Sequence, residues 1–173
     1  DLSIAFVPEN RLGHSAVPEL SLLENILLSR FPENNFTNNG IINYQNIETH
    51  VNAVIEKFNV VTPDSTVKAS SLSGGNLQKF VIGREISSNP KLLIISHPTW
   101  GIDAGAEFAI RESLISLSKK GTSIIVISQD LDELFEITHR LSVIFDGTLS
   151  NSYQTKDVSL EKIGLLMGGH KNV

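Results

Sequence analysis

Three short runs set the limits on what this chain can fold into. "LSIAFVP" (2–8), "KLLIIS" (91–96) and "TSIIVIS" (122–128) are apolar over most of their length and rich in isoleucine and valine. A strand with one wet face alternates apolar and polar residues. A strand with near-continuous apolar character is covered on both faces. Helical segments separate these runs, so the expected fold is α/β, with a mostly parallel sheet and helices on both faces.

The segments between have their own signals. "SLLENILLSRF" (21–31) reads as a helix, with Ser21 and Glu24 forming a capping box. "PENNFTNNG" (32–40) reads as loop. Residues 45–58 place Ile47, Val51, Val54, Ile55 and Phe58 on one helical face. "NLQKFVIGREISSN" (76–89) buries Leu77, Phe80, Val81 and Ile86. Further helices are expected over 103–121, closed by Gly121, over 130–140 and over 157–169. His139 and Arg140 are expected to end the second of these. Residues 141–153 read as two strands joined at Asp146–Gly147.

Bulk properties exclude some functions. A net charge of −5 in 173 residues argues against a partner gripped by its nucleic acid backbone. There is no cysteine, and the five histidines lack paired ligand spacing, so neither a thiol site nor a zinc site is expected. No apolar run approaches the ~20 residues of a membrane span. The chain opens on Asp1 and reads as a fragment of a longer protein or a processed product.

The stretch "SLSGGNLQKF" (71–80) carries the chemistry. Gly74 and Gly75 let a backbone approach a ligand closely, and Ser73 adds a hydroxyl. The helix that follows presents free N–H groups at its positive end, which favours an anion. Taken alone, the same residues serve equally well as a glycine-rich turn before a core helix.

Their surroundings decide between the two. "LSGGNLQK" (72–79) resembles the signature motif of ABC-type ATPases, and "KLLIISHPTWGIDAG" (91–105) has the layout of the strand, Pro-Thr and Asp loop that follow it in that family. "IAFVPENR" (4–11) is similar to its Q-loop strand, and 122–128 to the next core strand. The resemblance is closest to the second ATPase half of bacterial sugar and nucleoside importers, through "PTWGIDAGA" (98–106), "SQDLDELFE" (128–136) and "LLMGG" (165–169). It implies a P-loop NTPase-like core, with residues 1–19 as Q-loop strand and loop and 20–70 as a helical subdomain. Residues 71–153 would be the signature and core elements, and 154–173 a C-terminal helix.

Several family positions are changed. No G-x-x-x-x-G-K-[ST] loop occurs, so the part that wraps phosphate is missing. Ser96 and His97 stand where the family has Asp and Glu. Serine cannot supply the charge that magnesium wants. His97 is either a base or a residue freed from catalysis, and the missing metal ligand beside it favours the second. Gln129 replaces the switch histidine, and Glu9 replaces the Q-loop glutamine, where it could pair with Arg11. Ser73, Gly74, Gly75 and Asn76 remain, and so does Asp103, which resembles the residue that crosses between two ATPase domains and is also a natural N-cap. Trp100, in a surface loop, either meets that second domain or packs locally.

The resemblance therefore implies an ATP-binding segment of an importer that contributes its signature motif to a composite site for ATP and Mg²⁺. The phosphate loop of that site belongs to a second ATPase domain. Membrane-spanning permease subunits would hold the assembly at the cytoplasmic face of the membrane. The alternative is a docking or regulatory module that has kept the fold and lost nucleotide use. A soluble ATPase of the same class acting on DNA or the ribosome fits the acidic charge less well.

Overall fold

A computed structural model of the chain describes residues 3–30 and 36–170. The expectations placed on residues 1–2, 31–35 and 171–173 lie outside the described residues. The chain divides into two compact units, Asp1–Ile127 and Ser128–Val173.

The first unit is built on a parallel sheet of β1 (Ile4–Val7), β4 (Leu92–Ser96) and β5 (Ser123–Ile127), with β4 in the centre. Its register pairs Phe6 with Ile94 and Ile94 with Ile125. These are the three apolar runs. Helix α4 (Ala104–Lys119) makes the crossover from β4 to β5, and Gly121, at φ +100°, ends that connection in a conformation glycine adopts without strain. Helix α3 (Gly74–Ser87) packs beside α4 and against β1. Ala5, Val7, Leu93 and Ile95 are buried on the face of the sheet that these side chains share. The opposite face is barer: Ile4 and Phe6 of β1 and Ile125 and Ile127 of β5 are each about half exposed. Among the described residues, β5 has no strand on its outer edge.

Helices α1 (Leu22–Arg30) and α2 (Tyr44–Lys57) follow β1. The capping box forms as expected: the Glu24 carboxylate accepts the Ser21 N–H at 2.8 Å, and the Ser21 hydroxyl accepts the Glu24 N–H at 3.1 Å. Ile47, Val51, Val54 and Phe58 are buried, as the helical spacing requires. Part of the segment expected as loop is instead a hairpin. β2 (Thr37–Asn38) pairs antiparallel with β3 (Ile41–Ile42) across Asn39 and Gly40, both at positive φ. Asn-Gly is a hairpin dipeptide, because both residues tolerate the left-handed backbone that a type I′ turn needs.

In the second unit, α5 (Leu131–Ile137) ends before His139 and Arg140. The Thr138 hydroxyl donates back to the Leu134 carbonyl at 2.7 Å, and its extended backbone turns Arg140 into a strand. The region 141–153 holds more than two strands. β6 (Arg140–Leu141) pairs with β9 (Tyr153–Gln154), and β7 (Ile144–Phe145) pairs with β8 (Thr148–Leu149) around Asp146–Gly147. Ser150 interrupts the ladder. Its hydroxyl accepts the Val143 N–H at 2.9 Å while its own N–H bonds the Val143 carbonyl. The closing helix, α6 (Leu160–Met167), is capped by Ser159.

One contact fixes where α2 meets α3. A Cβ placed on Gly83 would lie 2.5 Å from Phe58 Cδ2 and 2.9 Å from Val54 Cγ1. Replacing Gly83 with valine therefore overpacks this junction, at a cost of about 1–3 kcal/mol. Urea unfolding should show the midpoint falling at constant slope, and an unchanged midpoint would mean that the junction is loose.

Candidate functional site

The site is assembled on the first two turns of α3. Ser73 is the N-cap, extended at ψ 154°, and its hydroxyl oxygen accepts both the backbone N–H of Asn76 (3.4 Å) and the Asn76 side-chain amide (3.1 Å). Both bonds use the hydroxyl as acceptor, so its proton remains available for another partner. Gly74 and Gly75 form the first turn, where helical N–H groups have no partner within the helix. Ser73 and Gly74 are exposed, and Gly75 and Asn76 are half-buried.

The next side chains hold the neighbouring loops. The Asn76 carbonyl oxygen accepts the Val61 N–H at 2.9 Å. Gln78, fully buried, donates its amide to the carbonyls of His97 (3.3 Å) and Pro98 (3.2 Å). Lys79, also buried, donates to the Asn59 carbonyl at 2.8 Å and lies 3.9 Å from the Asp103 carboxylate. α3 thus ties the segment after α2 to the loop after β4. That loop, 97–103, starts with His97 at φ +47° and turns at Gly101, at φ +68°. A Cβ on Gly75 would stand 3.3 Å from the Gly101 carbonyl, so the two segments meet backbone to backbone.

Asp103 caps α4. Its carboxylate accepts the Ala106 N–H at 2.9 Å. That hydrogen bond and the charge of Lys79 hold the carboxyl below its ordinary range. Trp100 is mostly exposed, and its ring centroid lies 6.4 Å from that of His97. Arg11 reaches Trp100 rather than Glu9. Its guanidinium donates to the Trp100 carbonyl and lies 5.6 Å over the indole ring. Burial lowers the pKa of Arg11 from its usual value.

The structure therefore gathers Ser73, Gly74, Gly75, Asn76, Ser96, His97, Trp100 and Asp103 in the first unit around α3 and the end of β4. Glu9 is exposed in the loop after β1. Gln129 is exposed in the second unit, one residue before the Asp130 cap of α5. Gln78 and Lys79 lie within "LSGGNLQK" and Arg11 closes "IAFVPENR", but sequence reasoning gave none of the three a role of its own beyond a possible Glu9–Arg11 pair. Nothing in either run tells which backbone carbonyls these side chains reach.

The chemistry on offer is one-sided. The N-terminus of α3 can receive an anion. Ser96 and His97, at the end of β4, do not make a magnesium site, and among the described residues no group of three or more His, Cys, Asp or Glu side chains could hold a metal. No step through a metal follows from these residues.

Set beside solved structures, this arrangement has the fold of an ATP-binding cassette. The dimeric cassette MJ0796, in a post-hydrolysis state with ADP and Pi, aligns with a TM-score of 0.74 at 21% identity, over 89% of this chain and 63% of that one. An ATP-binding subunit of an ABC transporter aligns with a TM-score of 0.75 at 18% identity, over 96% of this chain and 68% of that one. In sequence, the chain is similar to sugar- and nucleoside-import ATP-binding proteins of the ABC class. It is 36% identical to the glucose import ATP-binding protein TsgD13 of Haloferax volcanii and 39% identical to the nucleoside import ATP-binding protein NupA of Lactococcus lactis, over 98% of its length in both cases. It spans about a third of those relatives, 31% and 34%. No family model matches it.

Asp103 offers a direct check on the local geometry. Asp103→Ala removes the cap of α4 and lowers stability, and Asp103→Asn, which still accepts the Ala106 N–H, lowers it much less. Because the carboxyl titrates lower in the folded chain, its contribution is complete at neutral pH and is lost only as pH falls through the depressed value. Acid unfolding of Asp103→Asn should lack this increment, and identical acid profiles would contradict the assigned cap and ion pair.

Proposed function

We propose that this chain is the signature-donating part of an importer's ATP-binding protein, from its second ATPase half. The observation that carries the reading is the contrast between two ends of one site. The Ser73–Gly74–Gly75–Asn76 turn is in place on α3, while the end of β4 offers Ser96 and His97 in place of two carboxylates. Such a chain cannot complete its own ATP site and can complete another's. Its signature turn faces the γ-phosphate of an ATP whose phosphate loop and Mg²⁺ ligands belong to a second ATPase domain. Asp103 and Trp100 lie on the same side of the donor surface and meet that domain. The work done is uptake of a simple sugar or nucleoside through membrane-spanning permease subunits, at the cytoplasmic face of the membrane. The import roles of the glucose and nucleoside relatives and the ADP-bound dimeric cassette support this reading. Among the described residues no helix is long and apolar enough to cross a membrane.

A second reading, a docking module that has dropped nucleotide use, is favoured by the same loss of carboxylates at Ser96 and His97. The two separate on one experiment. This chain alone should turn over little or no ATP, and turnover should appear on mixing with a half that carries an intact phosphate loop. In the complete transporter, Gly75→Val crowds the Gly101 carbonyl and the approach to the turn, and should cut ATP turnover by about two to three orders of magnitude, comparable to losing one aimed hydrogen-bond donor. Substantial turnover by the chain alone, or an unaffected Gly75→Val transporter, sinks the proposal.

A further inference from the structure

Arg11 is held beside the signature turn in a way the reading above does not require. Its position begins with its own loop. The Arg11 carbonyl accepts the Ala16 N–H at 2.9 Å, and the Ser15 hydroxyl donates to the Asn10 carbonyl at 3.0 Å. The loop is then fastened to α3 at its far end, where the buried Arg84 donates to the Ser15 carbonyl at 2.7 Å. With its backbone fixed, Arg11 sends its side chain to the other end of α3.

There the guanidinium lies against two glycines and an indole. A Cβ on Gly74 would stand 2.9 Å from Arg11 Nη1, and one on Gly101 would stand 3.3 Å from Nη2. Gly74 is ordinary helix and needs no positive φ, so the room it leaves is room for Arg11. The guanidinium also donates to the Trp100 carbonyl and lies 5.6 Å from the centre of the Trp100 ring, within cation–π range. A cation beside a helix N-terminus opposes the helix dipole. Helix stability therefore does not explain the placement.

We infer that Arg11 is a positioning residue. It clamps the signature turn at Gly74 to the 100–103 loop, so that Ser73–Asn76 and Asp103 meet a partner domain as one surface. The inference rests on the composite-site reading. It also explains Trp100, whose exposed ring serves as the flat wall against which the clamp closes. A planar fork is needed: one N–H can donate to the Trp100 carbonyl while the rest of the group stays beside the ring and the two glycines. A lysine ammonium cannot do both.

Trp100 is the only tryptophan of the chain, so its fluorescence reports the clamp directly. In the full chain, Arg11→Ala and Arg11→Lys should both shift Trp100 emission to the red and increase its quenching by acrylamide, a neutral quencher, with the urea midpoint held. Arg11→Gln, which keeps a donor for the Trp100 carbonyl, serves as a second variant should alanine impair folding, and should move the emission in the same direction. In the complete transporter, Arg11→Ala and Arg11→Lys should raise KM for ATP on the order of tenfold, or ~1.4 kcal/mol, with kcat little changed. Unchanged Trp100 emission in all three variants overturns the clamp. A wild-type KM in Arg11→Lys overturns the requirement for the fork. If Gly75→Val leaves turnover intact while Arg11→Ala still shifts Trp100, the composite-site reading falls and the clamp geometry stands.

Discussion

The buried amide of Gln78 is the join on which the rest of the site depends. It donates to two successive carbonyls, His97 and Pro98, at the point where the central strand gives way to the site loop. A buried carbonyl left without a donor costs about 1–3 kcal/mol, so a single side chain satisfies two groups that otherwise resist burial. The consequence is geometric. The end of β4 is pinned to the second turn of α3, His97 is held at φ +47°, and the chain emerges toward Gly101 and Asp103 already aimed along the start of α3. Lys79 repeats the device one residue later, reaching the Asn59 carbonyl on one side and Asp103 on the other. The signature helix thus acts less as a free anion cradle than as the beam to which three loops are bolted.

The same division of labour bears on Ser96 and His97. Gln78 grips backbone carbonyls and is indifferent to the side chains at 96 and 97, so this join places no demand on which residues stand there. A carboxylate pair at the end of a strand carries a cost in desolvation and mutual repulsion, which a bound metal offsets. The proposed donor role needs no such pair.

Much of the fold was legible in the residues. The three apolar runs are the three strands of the sheet, since a central parallel strand has few ways to be polar. The Ser21–Glu24 box, the Gly121 cap and the Asp146–Gly147 turn act within a few residues and so can be read locally. Other features needed tertiary context. The Asn39–Gly40 hairpin was hidden by the asparagines around it, which signal turns without saying which one. The break at Ser150 depends on a cross-strand hydroxyl. Arg11, Gln78 and Lys79 are long polar side chains whose partners lie 19 or more residues away, and only folding brings those partners near. The Ser73–Asn76 turn could be picked out because it is contiguous. The contact of Arg11 with Gly74 and with the 100–101 turn could not, because those residues lie far apart in sequence.

The account turns on one claim, that the Ser73–Asn76 turn is read by ATP bound to a different domain. Sedimentation of this chain with a phosphate-loop-bearing ATPase half tests it most directly, using a non-hydrolysable ATP analogue and Mg²⁺. The account predicts a nucleotide-dependent complex that forms with the wild-type chain and is lost with Gly75→Val. A complex that forms equally well without nucleotide, or that survives Gly75→Val, would contradict it.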